Sequence, residues 1–209
     1  MANKDDSALT VLIHGLEGAA TDWKDPEGYS HGGLLTQALN NADLPWIALD
    51  LYGHGEWKAE EPEFNPANVS DELWAGFIDR SVDAIVQALG FEFGGAARPI
   101  NLVSYSLGSM ILAQFVKRHP ELQAETIVMA SPTPEREADD EYSLHQCVDA
   151  LARSQVTLIH GDSDDEVAAG EVEWLATQFP AKPTVHTLES GHQLPAAWVD
   201  LAVEALTAR

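Results

Sequence analysis

Three residue types set far apart in the chain can combine into acyl-transfer chemistry: Ser106, His192 and an acid between them. A serine hydroxyl is a weak nucleophile unless a base touches it, and the base needs an acid to orient it. Ser104-Tyr105-Ser106-Leu107-Gly108 fits the nucleophile-elbow motif G-x-S-x-G, with Ser in place of the first Gly. The motif needs small residues two before and two after the nucleophile, because a strand bends sharply into a helix there. One chain order for this chemistry is Ser, then acid, then His. Gly161-Asp162-Ser163-Asp164-Asp165-Glu166 offers four acids, and Gly191-His192 offers an imidazole in a turn. His192 alone among the eight histidines follows the last expected strand in a Gly-His turn. His186 falls inside that strand, where a structural role is expected. Asp165 and Glu166 suit the start of the next helix, where acids favour the dipole. That leaves Asp164 and Asp162 as partners for the base.

The oxyanion of an acyl-transfer intermediate needs backbone N–H donors. Leu107 would supply one at the start of the elbow helix. Leu16, in the loop His14-Gly15-Leu16-Glu17-Gly18, would supply the other, with Gly15 and Gly18 letting the backbone come close.

Six apolar, strand-forming runs must carry these groups: Leu9 to Ile13, Trp46 to Leu51, Ile100 to Tyr105, Thr126 to Ala130, Val156 to His160 and Thr184 to Leu188. Helical spacing separates them. Leu34, Leu35, Ala38 and Leu39 share one stripe. Trp74, Ile78, Val82, Ile85 and Leu89 make another, capped by Ser70 and stopped at Gly90. Further helices are expected over Leu107 to His119, over Val167 to Phe179, and from Pro195 onward. Alternating strands and helices imply right-handed crossovers and a parallel sheet covered on both faces. Every motif above then falls at the carboxyl end of a strand, where such sheets collect reactive groups.

The bulk properties bound the rest. A chain of 209 residues with 45% hydrophobic content suits one domain with a full core. Against 34 acidic residues stand 11 basic ones, a formal charge of −23, which disfavours nucleic acid and anionic membranes as partners. The acidity fits either a saline medium or an ordinary acidic cytosolic protein. No apolar run near the start is long enough for a signal peptide or a membrane span, so a cytoplasmic location is expected. The single cysteine, Cys147, excludes an internal disulfide and is expected to be structural in a surface helix. Neither a metal nor a cofactor is expected: there is no H-E-x-x-H and no thiolate cluster.

The chain resembles the α/β-hydrolase superfamily over nearly its whole length. The resemblance is carried by His14-Gly15 with Gly18 and Trp23, by Asp50-Leu51-Tyr52-Gly53-His54-Gly55, by the elbow, by Gly161 with Asp164, and by Gly191-His192. It implies an α/β-hydrolase fold, a mostly parallel six-stranded sheet with helices on both faces, and Asp164 as the triad acid, three residues after Gly161. It also gives His54 a structural role. Tyr52 stands where relatives have Pro, and Trp57 where Ser is common. The family's first two strands have no counterpart before the His-Gly strand. Its cap domain sits between the fourth and fifth strands counted here, where only Glu135 to Gln155 lies, so a minimal cap and an open cleft follow. Asp22 to Gly33 or Glu56 to Asn68 would cover the cleft in part, with Tyr29, His31, Tyr52 and Tyr105 as lining candidates.

A serine hydrolase of small esters or thioesters is the leading expectation. The segment from Gly18 to Trp23 and the elbow are also similar to the menaquinone-pathway lyase SHCHC synthase. There the triad acts as a base without an acyl-enzyme, and basic cap residues surround an anionic substrate. A non-catalytic binding protein on the same scaffold is the third reading.

Overall fold

The apolar runs become six parallel strands in the computed structural model: β1 (Leu9–Ile13), β2 (Trp46–Leu49), β3 (Ile100–Tyr105), β4 (Ala124–Ala130), β5 (Gln155–Gly161) and β6 (Thr184–Leu188). The structure describes residues 7–28, 30–56, 70–93, 99–122, 124–134 and 141–208, with backbone only for 91–93. The strands lie side by side in the order β2-β1-β3-β4-β5-β6, every neighbouring pair parallel. β1 and β3 are buried along their whole length, whereas the edge strands β2 and β6 are half-exposed. Continuous Val, Ile and Leu runs suit strands covered on both faces.

Six helices do the covering: α1 (Gly32–Asn41), α2 (Asp71–Phe93), α3 (Gly108–Arg118), α4 (Val148–Leu151), α5 (Ala169–Gln178) and α6 (Ala197–Thr207). Alternate strand residues feed two cores. Val11, Ile13, Leu102, Met129 and Leu158 meet α2, α3 and α5 on one face. Leu12, Val103, Val128 and Ile159 meet α1 and α6 on the other. Among the described residues no helix is long and apolar enough to cross a membrane.

The chain leaves β1 for the edge strand β2, then returns across the sheet to β3 on the far side of β1. β1 and β3 therefore lie side by side at the point where strand order reverses, the usual crevice of an open α/β sheet. Their register pairs Ile13 with Ser104, which brings the loop after β1 level with the elbow after β3. α3 presses on that junction: a Cβ on Gly108 would lie 2.8 Å from the Ile13 carbonyl oxygen and closer still to that of His14.

The structure departs from the sequence reading in several places. α2 does not stop at Gly90 but runs on to Phe93. A mid-helix glycine costs about 1 kcal/mol, and the buried stripe from Trp74 to Leu89 outweighs that. β2 ends at Leu49 rather than Leu51, because Asp50 turns its carboxylate onto the loops: Oδ1 accepts from Ala20 N at 2.7 Å and Oδ2 from Glu56 N at 3.1 Å. Cys147 is not on the surface. It is 1% exposed beneath α3 in the 3-10 turn Leu144–Cys147, where Gln114 Nε2 donates to its sulfur at 3.4 Å. Burial pushes its thiol up to about 11, which keeps it protonated and unreactive at neutral pH. Between β4 and β5 the described chain holds only this turn and α4, both packed on α3. Residues 135–140 of the short cap region and most of the expected loop cover, 57–68, with Trp57 in it, lie outside the described residues.

Gly108→Ala should lower the unfolding free energy by about 1–3 kcal/mol, because backbone rather than a yielding side chain meets the added methyl. Urea denaturation of the variant beside the parent protein measures it as a shift in midpoint at unchanged slope.

Candidate active site

Ser106 sits at φ +49, a left-handed conformation that costs a non-glycine residue on the order of 1–3 kcal/mol. Its surroundings hold it there. Ser106 N–H donates to the Ala130 carbonyl of β4, and the Ser106 carbonyl accepts from Ser109 N, both at 2.9 Å. The serine that replaces the motif's first Gly has its own partner, since Ser104 Oγ lies 3.0 Å from Ser109 Oγ beneath the bend, both fully buried.

Two loops bring the other groups. Backbone bonds join the loops after β5 and β6: Asp162 N donates to Leu188 O at 2.9 Å and Ser163 N to Ser190 O at 3.0 Å. Asp162 Oδ1 accepts from Ser190 N at 3.3 Å, so this acid ties the loops together and does not meet the imidazole. The loops run so close that a side chain at Gly161 would strike the carbonyl oxygens of Ser190 and Gly191. His192 Nδ1 lies 2.8 Å from Asp164 Oδ2, and His192 Nε2 lies 2.8 Å from Ser106 Oγ. A carboxylate only accepts, so the imidazole proton sits on Nδ1, and Nε2 is left to accept from the serine hydroxyl. The Asp164 carboxylate, 1% exposed, also accepts at Oδ1 from the backbone N–H groups of Glu166 and Val167, each at 2.9 Å. Asp165 and Glu166 do not cap a helix as expected. α5 begins at Ala169 with only Glu171 acidic in its first turn, and Glu166 instead brings Oε2 to 3.6 Å from His192 Nε2.

A cavity of about 340 Å³ opens over this chain of hydrogen bonds, lined by Gly15, Leu16, Glu17, Asp22, Tyr105 and Glu166 together with Ser106 and His192. A larger hollow of about 440 Å³ lies at the opposite end of the sheet, beneath the amino ends of β5 and β6. That is the end to which strands of this architecture deliver no reactive groups. Leu16 is in a turn closed by Gly18 N–H on Gly15 O at 3.2 Å, with Glu17 at φ +60. Leu107 stands at the N-terminus of α3. Among the described residues, no backbone carbonyl takes the N–H of either leucine. A Cβ on Gly15 would lie 3.0 Å from Ser106 Cβ, so this turn lies against the serine.

His14 fixes the turn from behind. Leu51 N–H donates to its Nε2 at 3.0 Å, so the ring proton is on Nδ1, which donates to Gly15 O at 2.7 Å. Burial, with nearby His54, drives its pKa down from 6.5 to about 4. His54 packs 5.2 Å from that ring, with its Nδ1 3.0 Å from Tyr52 O.

The remaining lining candidates divide. Tyr105 lines the cavity. Tyr52 does not: it is buried in the α2 core with the Arg80 guanidinium 4.4 Å above its ring and donating to its hydroxyl. His31 does not line it either. His31 begins α1 at φ +51 with Nδ1 3.3 Å from Pro26 O. Tyr29 lies outside the described residues. Two neighbours went unnoticed in the sequence: Thr133, whose Oγ1 is 3.5 Å from Ser106 Oγ, and Ser131, which donates to the His192 carbonyl. Their one signal was position, polar residues directly after β4 on the reactive side of the sheet. Among the described residues no group of His, Cys, Asp and Glu is arranged to hold a metal ion.

The model of the Alpha/beta hydrolase family matches residues 10–208. The chain belongs to the α/β-hydrolase family. Solved structures overlay most of its length. A Thermus thermophilus protein aligns at a TM-score of 0.69 with 15% identity, covering 97% of this chain and 90% of its own. A monoacylglycerol lipase of Paleococcus ferrophilus aligns at 0.69 with 15% identity, covering 96% and 95%. An esterase from a Rhodococcus species aligns at 0.63 with 15% identity, covering 99% and 92%. At these identities the likeness is one of fold. No curated protein sequence matches the chain.

The depressed pKa of His14 makes this α/β-hydrolase acid-sensitive. Between pH 6.5 and about 4 the unfolded chain binds a proton at this residue that the folded chain excludes. The stability it contributes is complete above 6.5 and is lost as pH falls toward 4. The advantage of the parent protein over His14→Asn should shrink by about 1.4 kcal/mol per pH unit across that window, read from urea unfolding at stepped pH.

Proposed function

We propose that the protein is a serine hydrolase that cleaves small carboxylic esters or thioesters through an acyl-enzyme on Ser106. The observation that carries this reading is the His192 imidazole held between Ser106 Oγ and Asp164 Oδ2, 2.8 Å from each. Ser106 Oγ attacks the substrate carbonyl as its proton passes to His192 Nε2. The imidazolium is stabilised by Asp164, whose carboxylate is held in place by two backbone N–H groups. The tetrahedral oxyanion is held by the N–H groups of Leu16 and Leu107, the second reinforced by the N-terminal dipole of α3. Collapse expels the alcohol or thiol, which takes its proton from His192. Water then repeats the sequence on the acyl-enzyme and restores Ser106.

The cavity walls bear on the substrate. Glu17, Asp22 and Glu166 are acidic, and the described lining includes no Lys or Arg. Neutral substrates are favoured over anionic ones, which weighs against an elimination on an anionic substrate. The overall charge of −23 likewise makes a small molecule, not nucleic acid or a membrane, the proposed partner. The proposed location is the cytoplasm. Neighbours of the same fold named as a lipase and an esterase are consistent with ester chemistry.

Incubation with a fluorophosphonate should modify Ser106, located by peptide mass, and short p-nitrophenyl esters should turn over. Ser106→Ala should abolish both. Asp164→Asn, which leaves the imidazole without its acceptor, should lower kcat by about 10⁴-fold. Labelling of Ser106 without ester turnover points to a base-catalysed elimination, and neither labelling nor turnover points to a binding protein.

A further inference from the structure

The backbone carbonyl of His192 receives two hydroxyl donors at once. Tyr105 donates to it at 2.7 Å and Ser131 at 2.8 Å. Tyr105, Ser131 and His192 are 2%, 0% and 6% exposed, so water does not compete for these bonds. The Tyr105 oxygen also accepts from Leu194 N at 3.2 Å, and one side chain thus grips the loop on both sides of Gln193.

The placement of the two donors is specific. Tyr105 is the covalent neighbour of Ser106. One residue of the elbow meets the imidazole ring of His192 while the residue before it holds the backbone of the same histidine. Ser131 follows β4 at φ +45, and its N–H donates to Ile159 O of β5 at 2.7 Å. A serine keeps such a conformation only where its surroundings impose it. The loop between β6 and α6 has neither helix nor strand, and its first half hangs from the acid loop through Ser190. Its second half meets the sheet through Tyr105 and Ser131.

We infer that Tyr105 and Ser131 form a paired hydroxyl clamp on the His192 carbonyl that positions the imidazole for proton transfer with Ser106, an inference that rests on the serine-hydrolase reading. A carbonyl oxygen has two lone pairs, and here both are used. Removing one donor leaves the oxygen bonded. Removing both leaves a buried acceptor with no partner, a disproportionate penalty that the loop escapes only by moving. The two hydroxyls therefore act as a coupled unit whose deletions do not add. Tyr105 lines the cavity, but its hydroxyl is committed to the histidine loop, which makes it a positioning residue rather than a substrate ligand.

The test compares the parent protein with Tyr105→Phe, Ser131→Ala and the double variant. It measures kcat and KM on short p-nitrophenyl esters, and the downfield proton resonance of His192 Nδ1–H. Each single variant should lose about three- to tenfold in kcat with KM within about twofold, and keep the resonance. Tyr105→Phe should be the more damaging, since it also strips the acceptor from Leu194 N–H. The double variant should lose at least about tenfold more in kcat than the product of the single losses, with the resonance broadened away. A double variant equal to that product with its resonance intact overturns the clamp, and so does a rise in KM at unchanged kcat. If the double variant fails to fold, Tyr105→Phe with Ser131→Gly takes its place, because glycine accepts φ +45 while lacking the hydroxyl. If the parent protein shows no turnover and no labelling of Ser106, the hydrolase reading falls by itself. The resonance then decides alone: lost only in the double variant it upholds the clamp, and retained there it overturns it.

Discussion

A serine bent into a left-handed backbone is the constraint on which the site depends. At φ +49 Ser106 is uphill of a relaxed strand residue, and three neighbours keep it there: the Ala130 carbonyl, the Ser109 N–H, and the glycine that lets α3 start hard against β1. The bend sets Oγ at the carboxyl end of β3, directly before the start of α3. Everything else is arranged around that fixed point. The β1 turn arrives beside it because β1 and β3 are paired in register. The acid and histidine loops arrive from the far side, already joined to each other through Asp162 and Ser190.

Neutral and charged groups are kept apart in a definite way. His14 is buried, uncharged, and used as a bracket between the Gly15 carbonyl and the Leu51 N–H. Asp164 is equally buried but has two backbone donors at one oxygen and an imidazole at the other. The difference is hydrogen-bond supply: backbone N–H groups converge on the Asp164 carboxylate, whereas burial without a hydrogen-bonded acid keeps the His14 imidazole neutral.

Much of this was legible in the sequence, because strand runs and turn residues are local signals. All six strands and the positions of Ser106 and His192 after them followed from apolar runs broken by Gly and Asp, while the choice of Asp164 over Asp162 came from the family resemblance. What escaped was set by direction and by backbone partners. Tyr52 and His31 lie near the site along the chain, yet tertiary packing turns one into the α2 core and makes the other a helix start. Gly90 looked like a stop because its helix-breaking cost is local, while the stripe that overrides it is spread over about four turns. Cys147 looked superficial because a short 3-10 turn has no period to reveal its buried side. Ser131 left no signal beyond its position after β4, because its partner is a main-chain oxygen sixty-one positions away, and a carbonyl has no letter.

Gly108 and Gly161 are the seams of the site. Each marks a place where two backbones touch and no side chain fits, one joining α3 to β1 and the other joining the acid loop to the histidine loop. What each seam requires is an empty volume the size of a methyl group. Filling either void would wedge two main chains apart, and the gap would widen between the serine and the imidazole as well.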